Sequence, residues 1–279
     1  MQKTRWYLNR LGRMSIKEVV YRLSKAARSR VTGLGVSDDG ASRVPDLSRR
    51  GTCFVQPVHN LQAAAYSAAA EAIIAGYYSV FDLKARALGS PPDWNRDPLT
   101  GRRAPLTSAR TLDYRNERIV GNIKYLWELN RHLHLPSLAQ AYVLTNDQRY
   151  AGEIRRHVES WIEQCPFQHG ANWTSSLELG IRLINWSIAW QLLGGEKSRL
   201  FADEPSGRAF LEVWMRSVYL HARTIMQNLS RFSAANNHLI GEAAGVWIAA
   251  VTWPYWPQLE QWGEKCRAVL SREILEQNA

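Results

Sequence analysis

The segment Ser233-Ala-Ala-Asn236-Asn237-His238-Leu-Ile-Gly-Glu242 places two amides and an imidazole at the mouth of an apolar helix. A helix start needs about one capping side chain to satisfy its first N–H groups. Three consecutive polar groups exceed that need, so Asn236, Asn237 and His238 are candidate site residues. An amide can hydrogen-bond a carboxylate. An imidazole beside it can take the proton from the adjacent carbon. That is the chemistry of an elimination next to a uronic acid.

A second constellation is Gly170-Ala-Asn172-Trp173-Thr-Ser175-Ser-Leu-Glu178-Leu-Gly-Ile-Arg182. On a helix, Ser175, Glu178 and Arg182 share one face. Glu178 and Arg182 stand in the favoured i, i+4 order for an ion pair. Trp173 offers a flat apolar platform for a sugar ring, and an arginine can clamp a carboxylate through two parallel hydrogen bonds. The plainer reading of Glu178 and Arg182 is a surface ion pair. A third cluster holds Asn122, Tyr125, Trp127, Glu128, Asn130, Arg131 and His132. Glu128 and Arg131 are an i, i+3 pair. His132 and His134, two apart, would diverge on a helix and make no metal pair. No metal-binding motif, dinucleotide loop, phosphate loop or nucleophile elbow occurs, so no cofactor is expected.

These residues need a helical frame. From Asn116 onward, apolar periodicity predicts helices over roughly 116–133, 136–144, 147–163, 174–193, 207–229, 236–252 and 256–276, broken by prolines and glycines. An Ala-rich helix precedes them over 61–78, with Tyr77–Phe81 a candidate short strand. Short connections and little strand signal predict an all-α architecture of antiparallel helical hairpins.

The chain has 279 residues, 46% of them hydrophobic and 22% charged, enough for one large core. Its net charge of +10 is uneven. Residues 1–50 hold twelve Lys/Arg against four acids, whereas the remaining 229 residues carry 23 bases and 21 acids. The base excess belongs to an N-terminal arm, residues 1–55, which includes a short basic amphipathic helix opened by Ser15-Ile-Lys-Glu18. The body is then residues 56–279. With the charge confined to the arm and no recognised module, nucleic acid is not an expected partner. No apolar run is long enough to span a bilayer. Three widely spaced cysteines suggest neither zinc nor a disulfide framework. The first residues lack the apolar stretch of a secretory leader, which predicts a cytoplasmic protein, with a periplasmic one as the alternative.

Taken together, Trp127-Glu128-Leu-Asn-Arg131-His132, Trp173 with Glu178 and Arg182, and Asn236-Asn237-His238 resemble the heparinase II/III family of polysaccharide lyases. The start, Trp6-Tyr-Leu-Asn-Arg, and Pro92-Asp-Trp94-Asn-Arg-Asp-Pro resemble members linked to bacterial surface-polysaccharide gene clusters. The resemblance implies an incomplete (α/α) toroid, without the family's C-terminal β-sandwich domain. It implies β-elimination on an acidic polysaccharide: a glycosaminoglycan, alginate or an exopolysaccharide. Asn237 would neutralise the uronate and His238 would assist as base. Asn236, Trp173, Glu178, Arg182, Glu128 and Arg131 would bind substrate. The family's acid/base Tyr and second His have no counterpart here, so the expected partner is the C-terminal part of the same enzyme, and this chain alone should show little turnover. A toroid that binds acidic glycan without cleaving it is the alternative. A glycoside hydrolase would need two facing carboxylates, for which Glu178 and Glu242 are the candidates.

Overall fold

A computed structural model describes residues 45–202, 205–230 and 237–277, together with Val20. The N-terminal amphipathic helix and Asn236 lie outside the described residues. Helix α1 (Ala63–Ile74) leads into a two-stranded antiparallel hairpin, β1 (Tyr77–Val80) and β2 (Leu83–Ala87). Strand β2 carries no clear alternation and was not expected. A long loop follows. Then come α2 (Glu117–Val120), α3 (Ile123–Asn130), α4 (His134–Thr145), α5 (Gln148–Gln164), α6 (Ser176–Leu192), α7 (Ser206–Asn228), α8 (Asn237–Thr252) and α9 (Pro257–Gln277).

The helix expected over 116–133 is broken. Gly121 takes φ of 76°, a conformation open to glycine. Asn116 and Asn122 then each cap a separate helix by accepting from Arg118 N and Lys124 N. Asp147 caps α5 in the same way through Arg149 N. Pro136 sits in the first turn of α4, where its missing N–H costs nothing.

Helix α6 packs against both α4 and α8, while α5, α7 and α9 return along the outside. This is the arrangement of an incomplete (α/α) toroid. The shared core holds Trp94, Trp161, Trp186, Trp214 and Trp253, all fully enclosed.

Helices α6 and α8 run parallel and very close. Gly180 on α6 faces Gly241 and Gly245 on α8. A methyl group on Gly180 would come within 2.7 Å of the Gly241 carbonyl oxygen, and one on Gly245 within 2.5 Å of the Gly180 Cα. Further along, Gln191 near the end of α6 donates to Thr252 at the end of α8. Residues 45–58 lie as a strap across that far end. Thr52 N donates to Val251 O, Asp46 N to Tyr255 O, and Phe54 N and Val55 N both to the Gln191 side chain. Gln140 of α4 donates to Val58 O. Gly51 lies against the Thr252 carbonyl so tightly that no side chain fits between them. Arg49 adds a two-fold hydrogen-bonded ion pair with Glu260.

Candidate active site

The parallel sense of α6 and α8 decides where the sequence motifs meet. The first residues of α8, Asn237 and His238, lie at the same end as Trp173, Ser175 and Glu178 at the start of α6. Arg131 and His132, just before α4, join them. The candidate residues therefore gather toward the N-terminal ends of α6 and α8, opposite the strap, with residues 130–132 set against the middle of α6. A helix start carries a partial positive charge. Asn237 and His238 are exposed there.

The ion pairing differs from the sequence expectation. Glu178 does not pair with Arg182. It accepts two hydrogen bonds from Arg131, Nε to Oε2 at 2.7 Å and Nη2 to Oε1 at 3.1 Å, while Arg131 Nη1 donates to Glu128. Burial works against the Arg131 charge, but its two carboxylate partners outweigh it and hold the guanidinium above its usual pKa. Because α6 is enclosed by α4 and α8, Glu178 is only 2% exposed. The i, i+4 rule for surface pairs does not govern such a helix. The cluster carries two negative charges and one positive. Its arginine is committed to the two carboxylates through three of its five N–H groups, so what the cluster chiefly offers a sugar is carboxylate oxygens that accept from hydroxyls.

Arg182 is fully buried. Its Nε donates to the Asn130 carbonyl at 2.6 Å, Nη1 approaches His221 Nε2 at 3.0 Å, and the guanidinium lies 4.2 Å from the Trp161 ring centroid. Burial lowers its pKa to about 10, so it stays charged at neutral pH. His221 Nδ1 faces Ser217 O at 2.7 Å. The imidazole therefore donates there and accepts from Arg182. Arg182 braces the end of α3 against α6 and α7; it does not reach the rim.

Trp173 is 7% exposed. Its indole N–H donates to Cys165 O, and its ring meets Phe167, Trp161 and His221. A ring so enclosed forms the wall beneath the site and has no open face for a sugar. Asn172 is likewise buried, donating to Trp94 O.

His132 and His134 do not diverge. His132 adopts φ of 60° in the turn before α4, which brings the two rings to 5.5 Å. Trp186 Nε1 donates to His132 Nδ1 at 2.8 Å. His134 Nε2 lies 2.8 Å from His157 Nδ1, and His157 Nε2 lies 2.8 Å from Glu153, beside Ser90 and Tyr78. Burial pushes His132 and His134 well below the usual imidazole range. Burial alone would raise Glu153, but hydrogen bonds from His157, Arg156 and Ser90 outweigh it and hold its carboxyl down at about 2. Ser90 and Glu153 share the same ring nitrogen of His157, so these three do not form a nucleophile–base–acid relay. Among the described residues no grouping of His, Cys, Asp or Glu fits a metal ion.

Sequence reasoning missed His157 and the central role of Asn130. Glu153 and His157, four apart on α5, were the available signal. Asn130 is buried and donates to Trp94 O and Leu126 O while accepting from Trp161. It fixes the end of α3 from which Arg131 projects. The two carboxylates considered for a hydrolase are both spoken for: Glu178 by Arg131, and buried Glu242 by the Ser230 N–H and hydroxyl at 2.7 and 2.8 Å.

The model of the heparinase II/III N-terminus family matches residues 50–278, and the chain belongs to that family. Among curated proteins it is similar to the heparin-sulfate lyase of Bacteroides stercoris, 26% identical over 161 residues, which is 53% of this chain and 24% of that protein. Among solved structures it resembles heparan sulfate lyase HepC from Pedobacter heparinus, with a TM-score of 0.60, 17% identity and coverage of 92% of this chain and 34% of the other. A heparinase III structure matches with a TM-score of 0.57 and 18% identity, over 88% of this chain and 37% of the other. These structural likenesses establish the helical toroid fold. The chain spans about a quarter of the curated relative and about a third of each structural one.

Proposed function

We propose that this chain forms the toroid part of a polysaccharide lyase that cleaves an acidic, uronate-containing polysaccharide by β-elimination. One observation carries the reading: the starts of α6 and α8 lie side by side, and the rim there bears exposed Asn237 and His238 at the same end as a half-buried Glu128–Arg131–Glu178 cluster. The C5 proton of a uronate is hard to remove while the adjacent carboxylate is negative. In this reading the Asn237 amide donates to that carboxylate and stabilises the enolate-like transition state. His238 takes the C5 proton. The electron pair forms the 4,5 double bond as the glycosidic oxygen leaves and is protonated. Glu128 and Glu178 accept from sugar hydroxyls, and Arg131 fixes both carboxylates. Trp173 and Arg182 act beneath the cleft, as the wall and the brace that hold the cluster in place.

The family membership and the polysaccharide lyases among its relatives support this reading. The test is ultraviolet absorbance of the new conjugated double bond on a panel of uronate polysaccharides, run with this chain and with a longer one that adds the C-terminal part of the enzyme, in which the turnover is expected. Product formation that His238→Ala lowers by about 10²- to 10⁴-fold is expected for loss of a general base. Product formation unchanged by His238→Ala would overturn the assignment. No product from well-folded protein that still binds the polymers would favour a glycan-binding toroid without turnover.

A further inference from the structure

The tip of the β1–β2 hairpin carries an aromatic residue that folding does not ask for. Phe81 sits in the turn with φ of 52°, in the left-handed region that disfavours bulky side chains. Its ring is nonetheless 47% exposed. A glycine there would relieve the backbone, and a polar residue would be better solvated. Strained residues held in place by their surroundings tend to cluster at working sites. The ring meets Tyr125 edge to face, with centroids 5.1 Å apart, and the Tyr125 hydroxyl donates to the Asp82 carboxylate, which fixes the pair. Lys84, beside the turn, and Lys124, next to Tyr125 on α3, are exposed. Lys84 acts on the Asp82 carboxylate, so the tip and its helix neighbour hold two cations and one anion.

Tyr125 also ties the patch to the candidate active site. It lies on α3, one turn before Glu128. At 1.5 Å of rise per residue, it stands about 9 Å along the axis from Arg131. An apolar ring face beside a hydroxyl and two ammonium groups suits the C–H face of a pyranose that bears a negative charge.

We propose that Phe81 and Tyr125, rimmed by Lys84 and Lys124, form a distal subsite for one acidic sugar unit of the polysaccharide, away from the unit that faces Asn237 and His238. The proposal rests on the reading above that the ligand is an acidic polysaccharide. Its occupant lies on a path along α3: hairpin tip, Glu128, Arg131, then the start of α8.

The experiment is calorimetric titration of the whole chain with a size series of heparan sulfate and alginate oligosaccharides, from disaccharide to long chains. The proteins are the wild type, Phe81→Gly and His238→Ala. Phe81→Gly should keep the fold, because glycine adopts positive φ freely. It should bind long chains about three- to tenfold more weakly, the scale of one aromatic contact, and short ones equally well. His238→Ala should retain the gain in affinity with length. Equal affinity of Phe81→Gly and wild type at every length, with wild type binding long chains, overturns the distal subsite alone. Failure of wild type to bind any member of either series overturns the polysaccharide reading and the subsite with it.

Discussion

Two side chains separate structure from chemistry at the residue scale. His238 is exposed at the start of α8. His238→Ala should therefore change stability by less than about 0.5 kcal/mol while removing most turnover; chemical denaturation alongside the absorbance assay checks both. Glu178 is the opposite case, buried and bonded twice to Arg131. Glu178→Gln removes a charge from the pair and leaves Arg131 with Glu128 only. A loss of about 1–3 kcal/mol is expected, read from the shift in urea midpoint. Sequence paired Glu128 with Arg131 as the structure does, but gave Glu178 to Arg182 where it bonds Arg131. Spacing along one helix reports neighbours on that helix. It does not report that α6 is enclosed, so that Glu178 reaches across to α3 and Arg182 lies on Trp161. Phe81 had no readable signal either, since its exposure depends on a turn that only the folded hairpin defines.

At the scale of elements, the glycine contact between α6 and α8 sets the geometry of the site. Glycine to alanine inside a helix normally stabilises by about 0.5–1 kcal/mol. Here Gly180→Ala and Gly245→Ala push a methyl group into the partner backbone. Each should instead destabilise by about 1–3 kcal/mol, as overpacking does. The sign of the change in thermal midpoint distinguishes the two effects. Should either variant prove more stable, the close parallel packing of α6 on α8 would be wrong. Most helices were legible from apolar period and from the prolines and glycines between them, which are local signals. The break at Gly121 was harder, since a lone glycine in a helical pattern is compatible with continuation. The relative sense of α6 and α8 is a tertiary fact with no local trace.

For the molecule as a whole, the buried imidazoles make stability depend on pH. His132, His134, His157 and His221 all have lowered pKa values, with burial as the largest cause. Below about pH 6.5 the unfolded chain binds protons on these rings that the folded chain refuses. Their contribution is thus complete above that pH and falls as the pH drops, by up to about 1.4 kcal/mol per pH unit for each ring. Glu153 adds a second loss at lower pH, between its unfolded value near about 4.3 and its folded value of about 2. Urea midpoints should stay level from about pH 8 to about pH 6.5 and decline from there to about pH 5. A flat profile would mean that the folded core accepts the charged rings.

The strap gives the helical ring two unlike ends. Val251, Thr252 and Gln191 are held by residues 51–55, whereas Asn237 and His238 at the opposite end of α8 are exposed. Opening motions should therefore run in one direction, beginning at the rim and dying out toward the strap. Hydrogen exchange would record this as a gradient in time along a single helix, fast at the start of α8 and slow near Thr252. The molecule would loosen first at the rim and last where its helices are tied.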